Sequence, residues 1–367
     1  MLKFDDLAKQ YDDFRVPQYV INVGSPGGSL KKLPVKDYPV LSINVSQSVE
    51  SASSAEIVFA CPYDYEESDF ENDIYSKLEP GSAVEIQLGY ETPETVFVGI
   101  LGSINTNFSQ SGVTAGVTCF DAKMSLFYNT KWKSFKKESN MREVVEELLE
   151  PCEKYVNIKV SSLEFDDANE SERIWKQDNI DDYKFIMRLA SLTNASFYSS
   201  GDTIYFVSSI YESAKAEVEL GWGKGLISFS AAVDISGQVG SVEVAFRNDS
   251  RDPDYLIYDG SDITLDGKRP GSDMISKKTH EMTEVLARNM KQAELIAKNT
   301  YMKSAMNYVT GRGSTIGIPD IKAGDAIKLT GLGDALSDTY FLNKVTHQFD
   351  AGGFLTSFNC QKPKANI

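Results

Sequence analysis

Histidine is almost missing from this chain: there are two in 367 residues, alongside four cysteines. That scarcity removes most zinc sites and most Cys–His or Ser–His dyads, which draw on those side chains. Cys61, Cys119, Cys152 and Cys360 lie far apart and form no C-x-x-C pair. Buried free thiols are expected, not the disulfide framework of a small secreted domain. No apolar run approaches the roughly 18 residues of a membrane span, and the opening "MLKFDDLAKQYDDF" lacks the hydrophobic stretch of a signal peptide. Synthesis in the cytoplasm without a signal peptide or membrane anchoring follows as an expectation. Positive charge is also short: 37 Lys and Arg stand against 53 Asp and Glu, a formal net charge of -16. Protein–nucleic acid affinity comes largely from basic side chains displacing counterions, so no nucleic-acid partner is expected.

What is present is a globular composition, 41% apolar and 25% charged, in a chain long enough for two or three domains. Residues 16 to 125 alternate apolar and polar at period two, as in "YPVLSINVSQSV", "SAVEIQLGY" and "VTAGVTCFDA", which predicts an antiparallel barrel or sandwich. "NMREVVEELLEP" then predicts a helix capped by Asn140 with Glu143 at its third position, ending before Pro151. A second helix follows, with Ile180, Tyr183, Ile186 or Met187, and Ala190 along one face, and runs into a hairpin turning at "SSGD". Residues 249 to 273 read as an exposed excursion. Glu281 to about Asn307 contains no Gly or Pro and predicts one amphipathic helix of roughly seven turns, before three final strands. The fold class is therefore α+β, mainly β, divided into 1–128, a small α+β module at 129–215, and 216–367 with the long helix.

One sentence is written twice. "KLEPGSAVEIQLGYETPETVFVGIL" (77–101) is echoed by "DIKAGDAIKLTGLGDALSDTYFLNKV" (320–345). Gly81 answers Gly324; Ala83, Val84 and Ile86 answer Ala326, Ile327 and Leu329; Val96 to Val98 answers Tyr340 to Leu342; Gly112 and Cys119 answer Gly353 and Cys360. Two copies at this separation are not a solenoid. They predict two duplicated tube-like antiparallel barrels flanking the module, and a repeated face suits a closed homo-oligomer.

Several motifs invite catalysis and fall short of it. "HEMTE" (280–284) lacks the second histidine of a zinc helix, so a helix-start role is expected for it. His347 in "VTHQF" has no nucleophile elbow to serve, and a place at a barrel rim or subunit contact is its expectation. "GWGKGL" (221–226) and "GRGSTIG" (311–317) lack the strand-to-helix context of phosphate loops; turns or close backbone approach are expected. "DGSDITLDGKRPGSD" lacks the closing Glu of a calcium loop. "KWKSFKK" (131–137) could stack on a single strand or meet an acidic neighbour, and reads first as a solvated boundary face. No enzyme, no catalytic residues, no cofactor and no metal are expected.

The run "QDNIDDYKFIMRLASLTNASFYSSGDTIYFV" resembles the phage late-control protein D family, in which acidic residues precede an "F-x-x-R-L-A" helix and an "F-Y…G…I-Y-F" hairpin. The ending "GIPDIKAGDAIKLTGL…DTYFLNKVTHQFDAGGFLTSFNC" and the strand "VEVAFRN" are similar to the same family. The resemblance covers most of residues 175 to 362 and, more weakly, the first barrel. It implies a structural baseplate hub of contractile tails and related injection systems, including tailocins and the hub part of VgrG proteins. In that family a homotrimer carrying two barrels per chain adapts a sixfold tail tube to a threefold spike. Implied partners are the tail tube protein, the spike protein and other baseplate proteins, in the tail of a virion or particle. Candidate interface residues on the repeated strands are Val84, Ile86, Leu88, Val96, Phe97, Ile327, Leu329, Tyr340, Phe341 and His347. A hub-associated cell-wall hydrolase and a receptor- or carbohydrate-binding tail protein are the rival expectations.

Overall fold

The structure, a computed structural model, describes all residues except 128–129, 137–138, 161–174, 248–251, 262–268, 275–278, 288 and 366–367. The chain is mainly β. Its principal elements in order are α1 (Phe4–Gln10), β1 (Gln18–Gly24), β2 (Val40–Ser48), β3 (Ser54–Ala60), β4 (Ala83–Gly89), β5 (Glu94–Ser109), β6 (Gly112–Asp121) and α2 (Met141–Leu149). There follow β7 (Asn157–Val160), α3 (Asp182–Thr193), β8 (Ser196–Ser200), β9 (Thr203–Val207), β10 (Ala216–Trp222), β11 (Gly225–Val233), β12 (Ser241–Phe246), β13 (Asp254–Tyr258) and β14 (Thr279–Ala287). The chain closes with α4 (Met290–Met306), β15 (Val309–Ile316), β16 (Ala326–Thr330), β17 (Asp338–Asp350) and β18 (Gly353–Lys362).

The alternating strands do what period two demands: one set of side chains enters the core and the other faces out. In the first run the strands are ordered β2–β3–β6–β5–β4–β1, and in the second β11–β15–β18–β17–β16–β10. The second run closes into a six-stranded barrel where Gly221 and Trp222 of β10 meet Gly225 and Leu226 of β11. The described ladders do not close the first. Instead β2 pairs antiparallel with β17, from Lys344 opposite Ser48 to Phe349 opposite Ile43, so one sheet passes through both runs. A single hydrophobic cluster likewise spans them, from Ile43 and Ile57 to Val345 and Phe358.

The module between the runs has its own core. Asn140 accepts a hydrogen bond from the Glu143 amide while the Glu143 carboxylate accepts from the Asn140 amide, the expected capping box that starts α2. Asp181 caps α3 by accepting from the Lys184 amide, and Asn194 ends it in the left-handed region at φ 52°. Phe185, Ile186, Leu189 and Ala190 are its buried stripe. The sheet β7–β9–β8 covers the helices, its hairpin turning at Gly201 as "SSGD" predicted.

The long helix is a correction. Thr279–Ala287 is a strand running parallel to β12, and the helix begins only at Met290, where Asn289 accepts from the Gln292 amide. Absence of Gly and Pro permits a helix without specifying one. Here pairing with β12, in a stretch carrying the β-branched residues Thr279, Thr283 and Val285, wins over local propensity. "HEMTE" therefore lies in a strand, not at a helix start. Ala293, Ile296, Ala297, Tyr301 and Ala305 of α4 pack with Val242 and Val244 of β12, whereas Met290 is exposed. The predicted excursion at 249–273 is likewise corrected in part, because Asp254–Tyr258 is a strand on the other side of β12; residues 262–268 of the "DGSD" stretch fall outside the described residues.

Candidate assembly surface

All ten candidate interface residues are interior. Val84, Ile86, Leu88, Val96, Phe97, Ile327, Leu329, Tyr340, Phe341 and His347 are between 0 and 4% exposed. This corrects the expectation that these side chains touch a partner: their alternation marks the inward face of the strands. His347 is not at a rim. Its Nδ1 lies 3.0 Å from the Thr356 hydroxyl, and complete burial pushes its pKa down to about 3, so the ring is neutral.

The repeat is real in hydrogen-bond detail, with one shift in alignment. Gly81 and Gly324 both adopt φ 95°, and their amides donate to the carbonyls of Leu101 and Leu342. The amides of Leu101 and Leu342 donate in turn to Ser82 and Asp325. Leu101 faces Cys119 and Leu342 faces Cys360, each followed by a one-residue bulge, Gly102 or Asn343. Tyr340 to Leu342 thus corresponds to Gly99 to Leu101, three residues beyond the aromatic match suggested by sequence. A bulge interrupts the ladder at one defined residue, and its presence at the same point of both copies fixes their correspondence where side-chain identity was the poorer guide.

The outward face of the shared sheet is paved with small hydroxyls. Ser228, Ser314, Ser357, Thr346, Ser46 and Ser54 stand directly opposite one another on six successive strands. Ser228 and Ser314 are in hydroxyl contact at 2.6 Å. The next row carries Ser230, Arg312, Asn359, Lys344 and Ser48.

A buried polar junction fixes the runs and the module against one another. Gln47 donates from Nε2 to the Val96 carbonyl at 2.8 Å and accepts at Oε1 from the Ser200 hydroxyl at 3.1 Å and the Ala323 amide at 3.2 Å. Asp121 accepts from the Ser53 amide at 2.8 Å and the Ser199 hydroxyl at 2.6 Å, and pairs with buried Lys123 at 3.4 Å. Buried charges persist only when so satisfied. These residues escaped sequence reasoning; the available signal was Gln47 itself, a polar residue two after Val45 on the inward face of β2.

Beside that junction lies a cleft of about 690 Å³ bordered by Arg142, Lys159, Tyr198, Tyr205, Lys322 and Asp325. The Tyr198 and Tyr205 rings stack at 4.9 Å, and burial, opposed by Lys322, pushes the Asp325 carboxyl up to about 6. Glu146 at its edge is committed to Arg142 at 2.8 Å. Among the described residues, no three His, Cys, Asp or Glu side chains converge as metal ligands.

The remaining sequence motifs fall into structural places. "GWGKGL" is the tight turn joining β10 to β11, with Gly223 and Gly225 at positive φ. In "GRGSTIG", Gly311 and Gly313 leave room for the rings of Phe229 and Phe358. Lys131 and Lys133 of "KWKSFKK" are bound to Asp182 and Glu147, each at 2.7 Å, while Trp132 stands 77% exposed. All four cysteines are buried free thiols, as expected.

A mainly β chain with a closed six-stranded barrel and a shared sheet is the class this architecture defines. Residues 29–351 match the Alg8 N-terminal domain family, and the chain belongs to that family. Among solved structures it is similar to the 43 kDa tail protein of prophage MuSo2 from Shewanella oneidensis, at 12% identity over 95% of this chain and 99% of that one, TM-score 0.66. A tail protein from Neisseria meningitidis MC58 matches at 13% identity over 95% and 99%, TM-score 0.64. The E. coli c3393 protein, a component of the type VI secretion system, matches at 12% identity over 89% and 74%, TM-score 0.53. These likenesses concern the fold. No curated protein matches the sequence. No described helix is long and apolar enough to cross a membrane.

Proposed function

We propose that this protein is a structural baseplate hub of a contractile tail or injection system. Three copies, each contributing two duplicated barrel units from 1–128 and 216–367, would adapt a sixfold tube to a threefold spike, with 129–215 as the module between them. The observation that carries this reading is the β2–β17 ladder, which sets two runs of like strand order side by side in one sheet. A chain built this way presents two similar units per copy, which is what a threefold object needs to meet a sixfold one. The fold shared with prophage tail proteins and a type VI secretion component supports the setting. Its partners would be the tail tube protein above, the spike protein below and other baseplate proteins around, with no enzymatic step and no cofactor. The test is electron microscopy of particles bearing a tagged copy of this chain. The expected result is density on the tail axis between tube and tip, in three copies; a tag found on peripheral fibres, or absent from particles, overturns the proposal.

A further inference from the structure

We infer that the free edge of β5 in one copy pairs with the free edge of β11 in a second copy, in the register that β17 and β2 use within the chain. This rests on the assembly proposed above and specifies which surfaces make it.

The correspondence of strands supplies the register. β5 and β17 share the bulge after Leu101 and Leu342, so Ser103 to Ser109 corresponds to Lys344 to Asp350. β2 and β11 share a second bulge, at Leu41 and Ile227, which are 47% and 51% exposed. Ser42 to Gln47 therefore corresponds to Ser228 to Val233. Within the chain, β17 pairs with β16 over its first residues and with β2 over Lys344 to Phe349, on the edge away from β18. β5 likewise pairs with β4 as far as Ile100. Beyond that point, among the described residues, the same edge has no strand beside it. Among the described residues β11 meets β10 only at Gly225 and Leu226, and from Ser228 to Val233 is paired on one side alone.

Each run is thus missing what the other possesses. Transferring the internal register places Ile104 opposite Val233 of the second copy, Asn105 opposite Ala232, Thr106 opposite Ala231, Asn107 opposite Ser230 and Phe108 opposite Phe229. At the internal junction the inward side chains Ile43, Val45, Val345 and His347 are all 0% exposed. On the free edges Phe108 is 60% and Val233 42% exposed, apolar surface that a second copy would cover. The short hairpin holding Tyr63 and Phe70 meets Phe108 ring to ring, and the Tyr75 hydroxyl touches that of Thr106, but neither segment forms a described ladder with β5.

Charge argues for the same occupant. Soluble proteins blunt exposed strand edges with Lys, Pro or inward charges. Neither Gly102–Ser109 nor Ile227–Val233 contains a charged residue or a proline, in a chain that is 25% charged. An uncharged edge that is the counterpart of one already paired internally is suited to its own kind, and strand addition at such an edge gains main-chain hydrogen bonds.

The test uses the full chain, whose native cysteines are buried. Asn105→Cys protein is mixed with Ala232→Cys protein under mild oxidation, and Thr106→Cys with Ala231→Cys in parallel, covering both kinds of antiparallel pair. A covalent dimer is expected from at least one matched mixture, and none from either variant alone or from Asn105→Cys with Ser228→Cys, which is out of register. Val233→Lys alters an exposed position; the expected result is an unchanged melting curve with loss of the assembled species in light scattering. Equal cross-linking out of register, assembly that survives Val233→Lys, or a wild-type chain that stays monomeric at the highest attainable concentration overturns the ladder. Matched cross-links in an assembly that is not a trimer keep the ladder and remove the threefold hub. A trimer without matched cross-links does the reverse.

Discussion

The two six-strand runs share a hydrogen-bond plan and fill it differently. Where the first places Ile43, Ile57 and Val117 across three adjacent strands, the second places Phe229, Gly313 and Phe358 at the corresponding positions. Two rings and a bare backbone replace three aliphatic side chains, so volume is redistributed while the ladder is kept. Cores accept such exchanges when total volume and patterning are preserved. The sixth strand is where the plans diverge: β1 runs antiparallel to β4, whereas β10 runs parallel to β16 and turns tightly into β11. Closure in the second run and openness in the first follow from that reversal, and β17 takes the place beside β2 that a closing strand would occupy.

Single substitutions can break this comparison. Gly313→Ile should have the largest effect, because a Cβ there would lie 2.4 Å from the Phe358 ring. Overpacking of this kind costs about 3 kcal/mol or more, read as a lowered urea midpoint. Adding Phe358→Val and Phe229→Ile copies the first run into the second and should restore most of the loss; a triple variant no better than the single one would show that the runs are not interchangeable in volume.

Gln47→Leu should cost about 2 to 3 kcal/mol, since it strands the Val96 carbonyl and Ala323 amide without partners. Its counterpart in the other run, Val233, is 42% exposed, and Val233→Ala should stay within about 0.5 kcal/mol in the isolated chain. Equal effects would mean that the buried junction is not what holds the runs together.

Gly81→Ala and Gly324→Ala sharpen the comparison at the turn. Both residues sit at φ 95°, but an added Cβ meets nothing at Gly81 and the Tyr198 hydroxyl, 2.5 Å away, at Gly324. The first should cost about 1 kcal/mol from backbone strain alone, and the second visibly more by thermal melting.

His347 should matter least at neutral pH and most in acid. Its counterpart in the first run is Thr106, which does not titrate. Burial holds the folded-state pKa near 3, below the ordinary value of 6.5. The unfolded chain therefore takes up the proton first, and stability present above about pH 6.5 is lost as pH falls toward 3, by at most about 1.4 kcal/mol per pH unit. His347→Gln should flatten the part of the stability–pH curve in that window; an unchanged slope would place the acid sensitivity elsewhere.

Much of this was legible in the residues themselves. Period-two alternation identified the strands and which side chains share a face, and Asn140 marked a true helix start, whereas Ile180, read as part of the second helix, ends a strand before Asp181 caps α3. The strand at 279–287 was not legible, because its partner β12 lies nearly forty residues upstream and only tertiary pairing distinguishes it from a helix. The candidate interface failed for a related reason. Alternation says which residues share a face without saying which face meets solvent, and the free edges belong to backbone, whose hydrogen bonding no side-chain pattern reports. The true alignment of the repeat was hidden as well, because the bulge after Leu101 and Leu342 that fixes it is a feature of backbone pairing and leaves no matching side chains, Gly102 standing against Asn343.

The ladder between β2 and β17 has a mechanical consequence. A force directed along those strands loads its hydrogen bonds together, so the two runs should yield as one body, without a hinge between them. A pull at right angles would open the same seam one bond at a time. In the hub proposed above, the orientation of that seam relative to an applied load decides whether it acts as a rivet or a zip.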